Sequence, residues 1–193
     1  MIAGLVLAAG AGRRLGSPKA EILLGGIRLV DRAVYTLRAG GCDEVFAVVR
    51  SGEVTVPGAT AVPNPDADSG MASSLRAGLA ALAEETEAVV VTLVDLPDVR
   101  PAEVSAMLGW YRNGASIVAV RRGGMRSHPV LVSRRWLRLF AEAAQADEGA
   151  RRFFAQHYDE VDFLDFPEPI SDIDTPEDLR AAERRFHSIR GGS

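Results

Sequence analysis

Sulfur and imidazole are scarce in this chain. Of its 193 residues one is cysteine, Cys42, and three are histidine. A lone cysteine excludes an internal disulfide framework and points to a reducing compartment, so a cytoplasmic location is expected. No Cys/His cluster has zinc spacing. Long apolar runs are missing as well. None reaches the ~20 residues that a membrane span needs, so no membrane partner is expected. The opening stretch, 1–12, lacks a basic flank and reads as a buried first strand rather than a leader. The terminal Gly-Gly-Ser is assigned no function. Net charge is −4, so a general nucleic-acid binder is not expected either.

The scarcest charged residue is lysine. Lys19 stands alone among 22 basic residues, the others being arginine. A bias toward arginine accounts for the depletion but not for the survivor. Lysine is a compact point charge on a flexible stem, and arginine is a planar fork, so a site can require one and not the other.

What is present is an ordinary globular composition, 47% hydrophobic and 25% charged, with length enough for a single domain spanning 1–193. Apolar runs alternate with helical patterns. Strands are expected at 2–8, 44–49, 60–62, 88–94, 115–120, 130–132 and 161–166. Helices are expected at 30–39, 71–83, from Pro101 onward, 134–146, 148–157 and 175–186. Continuous apolar strands between helices predict an α/β fold, a Rossmann-like three-layer sandwich with a mostly parallel sheet. Such sheets bind ligands at the carboxyl ends of their strands.

The segment after the first strand reads LAAGAGRRLGSPK, Leu7 to Lys19. Its glycines are spaced one residue longer than the dinucleotide fingerprint, and the second strand ends in Val49-Arg50, without the acid that binds ribose. A phosphate loop of the GK[ST] kind fails too, because Lys19 follows Pro18 and precedes Ala20. Glycines after a strand nevertheless let several N–H groups face an anion, and Arg13, Arg14 and Lys19 add positive charge. The alternative is an ordinary turn with solvated arginines.

Three further segments carry chemistry. The polar run 64–75, NPDADSGMASSL, feeds a helix whose start can face an anion or a base, or is a plain capped loop. Asp95 follows the strand 88–94, where a carboxylate needs water, a partner or a metal. The run SDIDTPEDL, 171–179, opens the last helix; acids there also suit the helix dipole. Between Val104 and Ala141 there is no acid but seven arginines, 112, 121, 122, 126, 134, 135 and 138. That stretch is either a solvated face or a dock for an anionic substrate.

The first of these motifs resembles the LAAGxGxRxGxPK signature of the MobA-like nucleotidyltransferases, which adopt the nucleotide-diphospho-sugar transferase type of fold. The resemblance implies that Leu7, Ala8, Ala9, Gly10 and Gly12 wrap a nucleoside triphosphate. Arg14 and Lys19 then offset charge on its phosphates. Asn64, Gly70 and Ser74 follow as nucleotide contacts, and Asp95 with Asp174 as ligands of Mg²⁺; Asp172 is a weaker alternative. The segments RSHPVL and DEGAR are similar to those of the molybdenum-cofactor cytidylyltransferases. That implies CTP as donor, a molybdopterin phosphate as acceptor, and a molybdoenzyme or its chaperone as downstream partner. His128, Arg122 and Arg126 become acceptor residues. Ser127 and the Ala146–Gly149 run depart from that subgroup's pattern. They keep open a sugar-phosphate or a small phosphorylated acid as acceptor, with GTP as an alternative donor. A non-catalytic nucleotide- or pterin-binding module is the third reading.

Overall fold

The computed structural model describes residues 1–50, 54–144 and 150–190. Strand β1, Ile2–Leu7, is buried along its whole length. Ala3, Leu5 and Leu7 pack into one apolar cluster, and Ile2 and Val6 into another on the opposite side. A strand covered on both faces has no polar side, which is why its sequence reads as one apolar run.

From β1 the chain passes through a 3₁₀ turn, Lys19–Glu21, and a small hairpin, β2 (Leu23–Leu24) and β3 (Ile27–Arg28). Helix α1, Leu29–Ala39, strands β4 (Glu44–Val49) and β5 (Thr60–Pro63), and helix α2, Met71–Ala80, follow. Next come β6 (Ala88–Leu93), α3 (Pro101–Arg112), β7 (Ile117–Arg122) and β8 (Met125–Ser133). Helices α4 (Arg134–Glu142) and α5 (Arg151–Gln156), strand β9 (Val161–Asp165) and helix α6 (Pro176–Arg190) complete the order.

The seven-stranded main sheet runs β5-β4-β1-β6-β8-β7-β9. It is mostly parallel; β8 alone runs antiparallel to both of its neighbours, β6 and β7. The expected architecture is thus present, with local corrections. The strand foreseen at 130–132 is nine residues long. Gly123 and Gly124, at φ of 55° and 80°, form the tight turn that returns β8 along β7. The hairpin β2–β3 was not foreseen, because two-residue strands carry no periodicity. Helix α4 ends at Glu142, and the expected helix at 148–157 is described from Arg151.

The chain moves outward from β1 to β4 and β5, then returns to the other side of β1 as β6. That reversal leaves a crevice at the carboxyl ends of β1 and β6, where a doubly wound sheet takes its ligand. Among the described residues no helix is long and apolar enough to cross a membrane.

Candidate active site

The glycine loop leaves β1 still tied to the sheet. The Ala8 amide donates to the Val48 carbonyl at 2.8 Å, and Val94 donates to Leu7 at 3.2 Å. Gly12 then adopts φ of 60°, and a Cβ there would lie 1.8 Å from the Ser17 carbonyl oxygen, so only glycine fits. The amides of Leu15 and Gly16 return to the Gly12 carbonyl, and Lys19 N donates to Gly10 O at 3.0 Å. Among the described residues, no amide from Gly10 to Arg14 donates to a backbone acceptor. Those N–H groups are available to an anion, and Arg14 stands exposed beside them.

Two carboxylates meet the lysine beneath this loop. Lys19 Nζ donates to Asp95 Oδ2 at 2.5 Å and also to Asp174 Oδ1. Asp95 sits just past β6, and the Ile173 amide donates to its carbonyl at 2.9 Å, which joins the two acidic loops. Asp178 fixes the second loop from inside α6. Its Oδ2 accepts from Thr175 N at 2.8 Å, from Thr175 Oγ1 at 2.7 Å and from Asp174 N at 3.2 Å. These hydrogen bonds, led by the Thr175 hydroxyl, hold the Asp178 carboxyl below its ordinary range. Burial works against the Lys19 ammonium, but the charge of Asp95 and the hydrogen bonds to both acids outweigh it, so its pKa is raised.

The residues present suit a divalent cation. Asp95 Oδ1 is buried with no hydrogen-bond partner, a costly state for a carboxylate oxygen and one that a cation would relieve. Among the described residues no three metal-capable side chains gather. Two carboxylates completed by substrate phosphates are the usual arrangement for Mg²⁺. Asp174 faces this site, whereas Asp172 is exposed.

The adjoining cavity, of about 230 Å³, is lined by Leu7, Ala9, Gly10, Gly70, Ser74, Lys19 and Asp95, with Met71 and Leu93 as apolar wall. Residues 4–161 match the MobA-like NTP transferase domain. The chain belongs to that family. It is thereby an enzyme of the nucleotidyltransferase type. It is 34% identical to nicotine blue oxidoreductase of Paenarthrobacter nicotinovorans, over 97% of this chain and 96% of that one. It is 30% identical to molybdenum cofactor guanylyltransferase of Rhizobium johnstonii, over 98% and 95%. The solved structure of Rv0371c from Mycobacterium tuberculosis H37Rv superposes with a TM-score of 0.82 at 25% identity, covering 95% of this chain and 97% of that one.

Within this MobA-like frame two of the expected nucleotide contacts present no side chain to the cavity. Ala8 is 1% exposed and its methyl lies in the core, so only its backbone faces the loop. Asn64 is buried behind the cavity wall: Nδ2 donates to the Ser73 and Ser74 hydroxyls at 2.9 and 3.0 Å, and Oδ1 accepts from Asp66 N. It shapes the start of α2 from behind and has no atom on the cavity.

Arg126 and His128 share a second, smaller cavity that abuts the first at Leu7 and Met71. The Arg126 guanidinium lies 4.1 Å from the centre of the Phe154 ring. Burial, then Arg151, lowers its pKa, and no carboxylate among the described residues offsets that. His128 Nδ1 is 3.3 Å from the Val91 carbonyl oxygen; burial and then the Arg126 charge push its pKa down to about 4. Arg122 does not join them. Side chains alternate along β7, so Arg122 turns with Val118 and Val120 toward α3, where it meets buried Glu103 at 2.5 Å. The acid-free stretch is likewise no single positive patch. Arg121 pairs with Asp165 and Arg138 with Glu142. The departure at 146–149, with Asp147, Glu148 and Gly149, lies outside the described residues.

The sequence reading missed the clamp across the MobA-like cavity. Arg50 donates to the Ala9 carbonyl at 3.1 Å and to Asp68 at 2.8 Å, and Arg13 approaches Asp68 at 3.5 Å. One acid so ties the glycine loop to the 64–70 loop. Arg50 immediately follows β4, and that place at the ligand edge was the available signal.

Proposed function

We propose that this chain transfers a nucleoside monophosphate from an NTP to a phosphorylated acceptor and releases pyrophosphate. The observation that supports it is the convergence of Lys19, Asp95 and Asp174 under a glycine loop with unused amides. An acceptor phosphate oxygen attacks the α-phosphorus, and the bond to the pyrophosphate oxygen breaks. The glycine loop positions the triphosphate. Lys19 and Arg14 stabilise charge on the α-phosphate and the leaving group. The attacking phosphate is already anionic near neutral pH, so no general base is required. Bound Mg²⁺, held by Asp95 and Asp174, would supply charge neutralisation at phosphate oxygens.

CTP is the proposed donor and a molybdopterin phosphate the proposed acceptor, in the cytoplasm. Arg126, which no carboxylate among the described residues pairs, supports an anionic acceptor beside the cavity, and neutral His128 adds a polar edge to that site. The 30% identical relatives are named for guanylyl transfer, which makes GTP the rival donor. The relative named an oxidoreductase supports a second reading, transfer of two electrons from a reduced nicotinamide, which is oxidised, to a bound substrate, which is reduced. That reading leaves Lys19, Asp95 and Asp174 without a task.

The test is thermal stability with each common NTP plus Mg²⁺, followed by pyrophosphate release when molybdopterin is added. A shift with CTP alone, of about 2.7 kcal/mol at a hundredfold excess over Kd, supports the proposal. A shift with GTP reassigns the donor. Bleaching of a reduced nicotinamide, with no pyrophosphate formed, establishes the redox reading instead.

A further inference from the structure

Glu103 is 1% exposed, on α3, and its carboxylate meets Arg122 at 2.5 Å. A buried pair of this kind gains little over two apolar side chains of similar size, because both ions lose their water. Stability alone therefore gives it weak justification. What the arginine adds is a second arm. Arg122 Nη1 donates to the Glu168 carbonyl at 3.0 Å, and the guanidinium lies 5.4 Å from the centre of the Phe166 ring. Arg100, which also reaches Glu103, stands 3.6 Å from the Glu168 carboxylate.

Phe166 and Glu168 belong to the strap that leaves β9 at the sheet edge and ends at Asp174. The strap has no helix or strand of its own. It touches the body near its start, where Phe166 N donates to Arg121 O, and near its end, where buried Ile173 donates to Asp95. Between those anchors Arg122 supplies a hydrogen bond to the strap, through the Glu168 carbonyl. The geometry points to Arg122 and Glu103 as positioning residues for the Asp174 carboxylate. They set the path of the strap so that Asp174 arrives opposite Asp95. This inference rests on the proposed function, since it assigns the two acids to a cation and a triphosphate.

The test compares wild type with the double variant Glu103→Leu/Arg122→Met, in which an apolar pair replaces the ions. Mn²⁺ binding is measured by electron paramagnetic resonance in the presence of CTP, and in parallel with GTP. Melting temperature and CTP affinity without metal are recorded as controls. Loss of roughly tenfold in Mn²⁺ affinity, as follows removal of groups that orient a ligand, with the controls unchanged, supports the role. Unchanged Mn²⁺ affinity overturns it. If the double variant does not fold, Glu103→Gln/Arg122→Met replaces it: it removes the donor to the Glu168 carbonyl and leaves no buried charge, and the same loss is expected. Wild type that binds neither nucleotide nor Mn²⁺ refutes the proposed function itself, and the positioning role with it. Wild type that binds both, with variants that match it, refutes the positioning role alone.

Discussion

Lys19 Nζ lies 2.5 Å from Asp95 Oδ2, and the same ammonium meets Asp174. A single lysine thus holds together two carboxylates that would otherwise repel across a partly buried site.

Removing that ammonium has two separable effects. Lys19→Ala is expected to lower the melting temperature in metal-free buffer, because the two acids face each other unscreened. Mn²⁺ should then stabilise the variant more than it stabilises wild type. Turnover should fall by about 10²–10³, the cost of one preorganised electrostatic group. Calorimetry with and without Mn²⁺, and pyrophosphate release, measure both.

The two acids of the last motif should behave differently. Asp174→Asn is expected to abolish most turnover and weaken Mn²⁺ binding, because Asp174 faces Lys19 and Asp95. Asp172→Asn should retain both, because Asp172 is exposed. Steady-state kinetics over a Mn²⁺ titration decide between them.

Asn64→Ala removes three hydrogen bonds that hold the start of α2 against the loop before it. A loss of about 1–3 kcal/mol in stability is expected, the range for leaving buried polar groups unpaired. The Michaelis constant for the NTP should rise with little change in turnover, because the residue shapes the cavity wall and does not touch the reacting phosphates. Urea unfolding and initial rates test the two halves.

Gly12→Ala places a methyl group against the Ser17 carbonyl and forces a side chain into left-handed backbone. The backbone term alone costs about 1–2 kcal/mol. The clash must also move the loop. NTP-induced thermal stabilisation should disappear while the sheet, measured by circular dichroism, stays intact.

His128 should make the protein acid-sensitive. The unfolded imidazole takes up its proton near the ordinary pH of about 6.5, and the folded one only near about 4. The unfolded state therefore binds more protons between those values. Stability contributed by the neutral ring is complete above about 6.5 and is lost as pH falls toward about 4. His128→Gln should flatten this slope in a pH series of melting temperatures.

The strand–loop–strand frame was legible because its signals are local. Buried strands are apolar throughout, and the glycines of the 10–16 loop announce a turn wherever it sits. Asp95 could be singled out for the same reason, standing at the end of a strand, and Lys19 because it is the one lysine of the chain. The hairpin β2–β3 carried too few residues for any period. The full length of β8 was hidden by Pro129 and by polar residues 126–128, which read as loop until the Gly123-Gly124 turn pairs them with β7.

By itself the sequence determined the layered α/β architecture, the family through its first motif, and the identity of the charges near the ligand edge. Which charges meet was decided by the tertiary structure. Arg122 and Arg126 are close in sequence, yet the pleat sends one toward Glu103 and the other toward Phe154. Lys19, Asp95 and Asp174 are far apart, yet strand order brings their loops to one edge. A side chain's face depends on register and on the element packed against it. Those are long-range facts that no local pattern encodes.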